Sequence, residues 1–245
     1  MKATPEMQAR LLDLQELDTR LSQLDHQART LPELTDIARL EASEADLRAE
    51  VVRAETQVSD LEREVAKAEA AVQQVRDRAA RDEARLAAGT GTAKDLQGLQ
   101  HELESLGRRQ SVLEDEELEV MERVEAAQRV AATAVVARDE HAVRLAELRA
   151  ARDEKAAAIR AEREEVASGR PAVVADVSAE LLALYDRLRA HSGTGAAPLL
   201  QRRCGGCRLE LNVVDLGRFR SAADDEVLRC EECGRILVRT PESGL

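Results

Sequence analysis

The sequence predicts a mostly α-helical protein, in which a long antiparallel coiled-coil hairpin is followed by a small C-terminal module that contains four cysteines. The first observation is composition: 34% of the residues are charged and only 1% are aromatic. A globular core of this size ordinarily uses more aromatic side chains, because each buries a large area. The other two observations are heptad spacing of apolar residues and paired cysteines near the C-terminus. Together they are typical of long paired helices with a small appended domain.

Apolar residues follow a heptad rhythm through the first long segment, with steps of four and three that define the seam of a coiled coil. A shorter leucine series precedes this segment, and Pro32 lies between the two. Proline removes a backbone donor and clashes with the preceding turn, so we expect a kink near residue 32. The predicted seam residues of the long segment are Leu47, Val51, Ala54, Val58, Leu61, Val65, Ala68, Val72, Val75 and Ala79.

The rhythm stops at Gly89–Thr92, and a second heptad series begins at Leu96. Thr92 and Asp95 have the spacing of a capping box, with Asp in the usual Glu position. Two heptad segments of similar length joined by a short glycine-containing turn predict an antiparallel hairpin. The alternative is that each helix pairs with a second chain, so the sequence leaves monomer and coiled-coil dimer both open.

Glycine and proline in Ser168–Pro171 predict the end of the second long helix. A shorter amphipathic helix is expected from Asp176 to Ala190, followed by a flexible loop over Ser192–Pro198 and a frayed tail over 241–245. The predicted domains are a coiled-coil hairpin over 1–170, a connecting helix and loop over 171–195, and a cysteine-containing module over 196–240.

The four cysteines form two Cys-x-x-Cys pairs, Cys204 with Cys207 and Cys230 with Cys233. Two such turns bring four thiolates to one point, which is the tetrahedral arrangement of a closed structural Zn²⁺ site. The N-terminus has no apolar run typical of a secretory signal, which argues against disulfides. A thioredoxin-like redox pair would need a βαβ setting, which the sequence around the cysteines does not supply. An iron–sulfur cluster remains an open alternative, because four cysteines also suit iron. We therefore predict one structural Zn²⁺ held by these four residues.

Short β-strands are expected at Val227–Arg229 and Arg235–Arg239, which gives the alternation of knuckle and strand typical of a zinc ribbon. A closed Cys₄ site has no free coordination position with which to activate water. The histidines are scattered through helical segments, and Gly89–Gly91 lacks the lysine and strand of a phosphate-binding loop. We therefore expect neither an enzyme nor a small-molecule substrate.

Charge is distributed unevenly along the chain, because residues 196–245 balance eight arginines against eight acids while the net charge is −12. Arginine suits bidentate phosphate contacts, but interleaved acids and a single Phe219 argue against a stacking platform for single strands. The sequence thus leaves two functions open, a protein-docking adaptor and an RNA- or DNA-binding regulator. The candidate partner-contact residues are Arg202, Arg203, Arg208, Arg218, Arg220, Arg229 and Arg235.

Four motifs, Thr92–Glu102, Leu181–Arg189, Cys204–Cys207 and Cys230–Leu237, resemble those of bacterial C4-type zinc-ribbon proteins built as a long coiled-coil hairpin. The resemblance carries the four zinc ligands over residue by residue. Some relatives are described as flagellar regulators that bind messenger RNA and the sigma-54 factor, so it also implies RNA or transcription-factor partners. Those roles belong to particular relatives. No apolar stretch is long enough to span a membrane, and we expect a cytoplasmic protein.

Overall fold

The computed structural model describes all 245 residues, of which 76% are helical. Contacts divide the chain into two compact units. We call Thr35–Arg149 the hairpin unit, and Met1–Leu34 with Ala150–Leu245 the head unit. The three-part domain division expected from the sequence differs from this one and stays a prediction. The elements are α1 (Pro5–Arg29), α2 (Pro32–Ala87), α3 (Ala93–Ala175), α4 (Ala179–Ser192), β1 (Ala196–Leu200), β2 (Arg203–Cys204), α5 (Val213–Ser221), β3 (Leu228–Arg229) and β4 (Ile236–Val238).

In the hairpin unit, α2 and α3 pair as an antiparallel coiled coil, and the predicted fold class is confirmed. Four ion pairs join the helices within this unit, among them Arg78–Glu102 at 2.6 Å, and the α3 residue number falls as the α2 number rises. The other three are Glu41–Arg149 at 2.6 Å, Glu64–Arg123 at 3.1 Å and Arg76–Glu114 at 2.6 Å. Buried seam residues of this unit are Val51, Ala54, Leu61, Val72, Leu106, Leu113, Ala127, Ala134 and Leu145.

The helix α3 continues through Pro171 to Ala175, so the expectation that it ends at Ser168–Pro171 is wrong. Packing within the head unit outweighs the local signals: Gly169 lies beside Leu17, and the Arg170 guanidinium binds the buried Asp18 carboxylate. Gly169 has no positive φ, so it does not act as a helix cap. The helix after it begins later than predicted, at Ala179.

The core of the head unit joins α1 to α4 and the sheet. Leu11 and Leu14 of α1 are fully buried against Leu181 and Tyr185 of α4 and Ile236 of β4. Each fully buried leucine contributes roughly 1.5–3 kcal/mol. The leucine series of α1 therefore supplies this core in addition to a helix–helix seam.

A buried polar network connects the same elements around Asp18, whose side chain is 1% exposed. Its carboxylate accepts hydrogen bonds from the Tyr185 hydroxyl at 2.9 Å and the Arg170 Nε at 3.0 Å, and the Arg189 Nε lies 3.3 Å away. Burial is the main cause that raises the pKa of Tyr185, and the hydrogen bond to Asp18 raises it further. A buried carboxylate needs such partners, because an unpaired one would be costly.

The sheet has the strand order β2-β1-β4-β3, with β1 parallel to β4 and the other pairs antiparallel. β1 covers Ala196–Pro198, the last part of the segment that was expected to form a flexible loop, and for these three residues that expectation is wrong. Ala196 and Pro198 pair with Ile236 and Val238, and this pairing with burial holds as a strand a segment whose alanines and proline have low β-propensity.

Both chain ends pair with the cysteine-containing module. The Ala3 amide donates to the Asp225 carbonyl at 2.7 Å, and the Val227 amide donates to the Met1 carbonyl at 3.2 Å. Near the C-terminus, the Arg202 amide donates to the Ser243 carbonyl at 2.8 Å, so the expectation of a frayed tail is wrong. Backbone hydrogen bonds fix both ends although neither carries a strong local signal.

Candidate metal centre

The four cysteine Sγ atoms converge within 4.8 Å of one another. Those of Cys204 and Cys233 lie 3.7 Å apart, and those of Cys207 and Cys230 lie 3.9 Å apart. A tetrahedral ion with bonds of about 2.3 Å would hold its sulfur ligands about 3.8 Å apart. No disulfide joins the cysteines. The donor set and its spacing thus fit one Zn²⁺.

Two turns with the same backbone hydrogen bond hold the thiols, and we call Cys204–Arg208 the first knuckle and Cys230–Gly234 the second. The Arg208 amide donates to the Cys204 carbonyl at 2.8 Å, and the Gly234 amide donates to the Cys230 carbonyl at the same distance. Arg208 and Gly234 each have a positive φ, 64° and 73°. Only glycine takes this conformation without strain, so Arg208 carries a cost of roughly 1–2 kcal/mol. The first knuckle is therefore less relaxed than the second.

The pKa shifts of Cys204 and Cys230 differ in direction from that of Cys233. Burial raises the pKa of Cys204 and raises that of Cys230 to about 12. Burial opposes ionisation of Cys233 as well, but the nearby backbone and side chain of Arg235 help lower its pKa to about 7. Because a metal binds thiolates, occupancy of the site must displace protons from the buried cysteines.

Arg235 lies across the first knuckle. A Cβ on Gly206 would come within 2.7 Å of the Arg235 Cδ, so only glycine leaves room for this side chain. A Zn²⁺ with four thiolates carries a net charge of −2, and a nearby guanidinium offsets part of it. The Gly206 amide also donates to the Cys204 Sγ at 3.4 Å.

A small apolar core surrounds the cysteines, and the sequence-based prediction missed the helix that supplies much of it. α5 buries Leu216 and Phe219 beside Cys204 and Cys230. The sequence does contain a signal for the start of this helix, namely Asn212 three residues before Asp215. In the structure, Asn212 caps the helix by accepting a hydrogen bond from the Asp215 amide at 2.8 Å. An Asn followed three residues later by Asp, then by apolar residues, is a helix start.

The seven candidate arginines do not form one free basic surface. Arg203 pairs with Glu210 at 3.7 Å, and Arg218 pairs with Glu231 at 2.7 Å. Arg218 also lies over the Phe219 ring, 5.2 Å from its centroid.

Three further arginines of this set donate to backbone carbonyls. The Arg202 Nε binds the Gly244 carbonyl at 3.1 Å, the Arg229 Nε binds the Gly234 carbonyl at 2.8 Å, and an Arg235 Nη binds the Ser192 carbonyl at 3.5 Å. The guanidinium groups of Arg208 and Arg220 remain without an intramolecular partner.

The histidines give no catalytic cluster. His141 contacts Ser43 in the hairpin unit, with 3.0 Å between the Nε2 and Oγ atoms, and His101 lies 3.9 Å from Glu104.

No helix combines the length and apolar character needed to cross a membrane.

Comparison with known families gives two matches. Residues 14–193 match the CT398-like coiled-coil hairpin domain, and residues 203–237 match the C4-type zinc ribbon domain. The second range contains all four cysteines. Both are structural families rather than known enzyme families.

Individual relatives agree with this assignment. The chain is similar to the uncharacterized protein Rv2229c of Mycobacterium tuberculosis, at 39% identity over 241 residues and 98% of both chains. A solved structure from Mycobacterium smegmatis has a TM-score of 0.82 at 38% identity, covering 98% of this chain and 100% of that one. CT398 from Chlamydia trachomatis shares the fold at 20% identity, with a TM-score of 0.64 and coverage of 96% and 98%.

The names of these relatives state no partner and no activity, so the flagellar, RNA and sigma-54 roles implied by resemblance stay predictions. The predicted cofactor is confirmed, since a C4-type ribbon with its cysteines close together is consistent with one structural Zn²⁺. The chain belongs to the CT398-like coiled-coil hairpin family and carries a C4-type zinc ribbon.

Proposed function

We propose that this protein is a non-enzymatic adaptor whose zinc-held ribbon docks a protein partner. We assign Cys204, Cys207, Cys230 and Cys233 as the ligands of one Zn²⁺. The observation that carries the proposal is closure of the site. Four converging thiols occupy all four coordination positions of a tetrahedral ion and leave none for water or substrate. The metal then acts by holding together a module too small for a sufficient apolar core. A reducing cytoplasm would keep the thiols available.

The arginines favour a protein partner over a nucleic acid. Phosphate recognition needs guanidinium groups that are free to reach the backbone of the nucleic acid. In this ribbon, Arg203 and Arg218 are bound to acids, and three others donate to carbonyls of the chain. Acids interleave with these arginines along the ribbon and oppose the approach of a polyanion.

Affinity purification of the full-length protein tests the adaptor function. We expect the zinc-loaded wild type to recover a defined protein complex in mild salt, and a Cys230→Ser variant to lose it because the ribbon unfolds. Arg123→Ala, which removes an exposed ion pair of the hairpin unit, is the matched control and should recover the same complex. Recovery of the wild type alone, or of nucleic acid without protein, contradicts the proposal.

A second candidate function is RNA or DNA binding through those of the seven arginines that are free to reach phosphate. The observation in its favour is that Arg208 and Arg220 have no intramolecular partner. Filter binding over a salt series tests it. Replacement by alanine of an arginine that contacts phosphate should reduce the slope of log affinity against log salt concentration by about 1. Arg203→Ala is the control, since Arg203 is already paired with Glu210. Absence of salt-dependent binding tighter than about micromolar eliminates this candidate.

A further inference from the structure

The outward face of α5 carries the most exposed large apolar side chains of the protein. Val213 is 84% exposed and Val214 is 81% exposed. They open the helix directly after its cap, Asn212. Valine is a poor helix former compared with alanine or leucine, so two adjacent exposed valines do not serve the stability of α5.

Gly217 lies one turn beyond Val213 on the same face. A Cβ at this position would meet nothing within 4 Å, and Gly217 has no positive φ. Neither intramolecular packing nor backbone conformation therefore requires glycine here. Glycine inside a helix is about 0.8–1 kcal/mol less favourable than alanine. What it provides is a flat surface on which another backbone can approach closely.

The opposite face of α5 is anchored. Leu216 and Phe219 are buried in the core around the cysteines, and the Asn212 amide donates to the Asp215 carboxylate at 2.8 Å. Asp215 is 8% exposed, so the only acid of this helix lies on its inner side. The outer face is thus presented on a fixed support, which lowers the entropic cost of binding.

Charge on the outer face is positive and uncompensated. Arg220 lies seven residues after Val213, which places both on one helix face, and it forms no ion pair. The acids that follow α5 are engaged elsewhere, since Asp224 lies 3.8 Å from Arg239 and Asp225 lies 2.9 Å from Lys2. A partner carboxylate would complement Arg220.

We propose that the outer face of α5, formed by Val213, Val214, Gly217 and Arg220, docks an amphipathic helical protein segment. That segment presents apolar side chains to the two valines, passes closely over Gly217 and places an Asp or Glu against Arg220. The inference rests on the proposed adaptor function and specifies where and by what chemistry the adaptor binds.

Selection from a displayed library of random peptides about 12 residues long, or about three helical turns, tests this face on the full-length zinc-loaded protein. We expect selected peptides to combine apolar residues with Asp or Glu at helical spacing. Binding should fall at least about tenfold for Val213→Asp. Val143→Asp is the matched control, because Val143 is 59% exposed in the hairpin unit, and it should bind like wild type.

Two further variants separate docking from stability. Arg220→Glu should lose binding and regain it with peptides whose acid is changed to Lys. Gly217→Ala should raise the stability of the head while it weakens peptide binding, a combination that a purely structural glycine would not produce. The proposal is overturned if selected peptides lack acids or bind Val213→Asp normally. It is also overturned if Val213→Asp instead abolishes RNA binding or self-association measured by light scattering.

These outcomes are distinguishable from failure of the adaptor function itself. If Val213→Asp still recovers the protein complex obtained with wild type, the adaptor function stands and α5 is the wrong surface. If the wild type recovers no protein complex, the adaptor function fails regardless of the peptide result.

Discussion

The hairpin unit and the head unit bury their apolar residues in different ways. The hairpin unit repeats one contact many times along its seam, often with alanine, as at Ala54 and Ala127. The head unit concentrates its interior in a few large side chains, the carboxylate of Asp18 with its bound partners, and four cysteines. Stability is therefore distributed in one unit and localised in the other, and single substitutions should have larger effects in the head unit.

The largest effect should follow loss of a metal ligand. Cys230→Ser leaves three thiols for the ion and should unfold the ribbon, because structural Zn²⁺ contributes on the order of 10 kcal/mol to small modules. The protein contains one tyrosine and no tryptophan, so fluorescence of Tyr185 reports the head core alone. We expect its emission to change while circular dichroism retains most of the helical signal. Equal loss of both signals would remove the distinction between the units.

The next effect concerns the Asp18 network. Asp18→Ala removes the carboxylate that balances Arg170 and Arg189 and deprives the Tyr185 hydroxyl of its acceptor. We expect a loss of about 3–5 kcal/mol in the free energy of unfolding of the head, measured with urea and tyrosine fluorescence. Asp13→Ala is the control, since its pair with Arg10 is exposed, and should cost less than about 1 kcal/mol. Similar losses in both variants would contradict a special role for the network.

A smaller effect is expected from the guanidinium beside the thiols. Arg235→Gln should weaken zinc retention roughly 10-fold or more, because outer-shell partners tune metal affinity by about that factor. Competition with a chromogenic chelator measures the change. Arg220→Gln, which removes an arginine without an intramolecular bond, should retain zinc like the wild type. Unchanged retention in Arg235→Gln would mean that this side chain only fills space above Gly206.

The smallest effect should come from the surface of the hairpin unit. Arg123→Ala removes the ion pair with Glu64, and we expect a loss of about 0.2–1 kcal/mol that diminishes in high salt. Thermal unfolding followed by circular dichroism is the measurement. A loss comparable to that of Asp18→Ala would show that the hairpin unit also depends on single contacts.

The contrast between the units also explains which features could be predicted. The seam of α2 repeats every seven residues, and every predicted seam position from Val51 to Ala79 is buried or partly buried. Cysteine spacing alone predicted that the four thiols converge, because two short turns are enough to bring them together. These are local or periodic patterns, which sequence reasoning detects well.

The missed features depend on contacts between distant parts of the chain. β1 begins with two alanines and a proline, which have low strand propensity, and it is fixed by pairing with β4. α3 passes through Pro171 because α1 packs against it. α5 has only nine residues, which are too few for a periodic signal. Its N-terminal cap, Asn212, could nevertheless have been recognised in the sequence.

Amide hydrogen exchange resolved along the chain, with and without a zinc chelator, tests the central claim that the metal holds the ribbon and leaves the hairpin unit unaffected. We predict that chelation exposes amides across residues 203–237 and leaves those of Thr35–Arg149 protected. Protection of 203–237 that survives complete removal of zinc would contradict the account, because the ribbon would then fold without its metal.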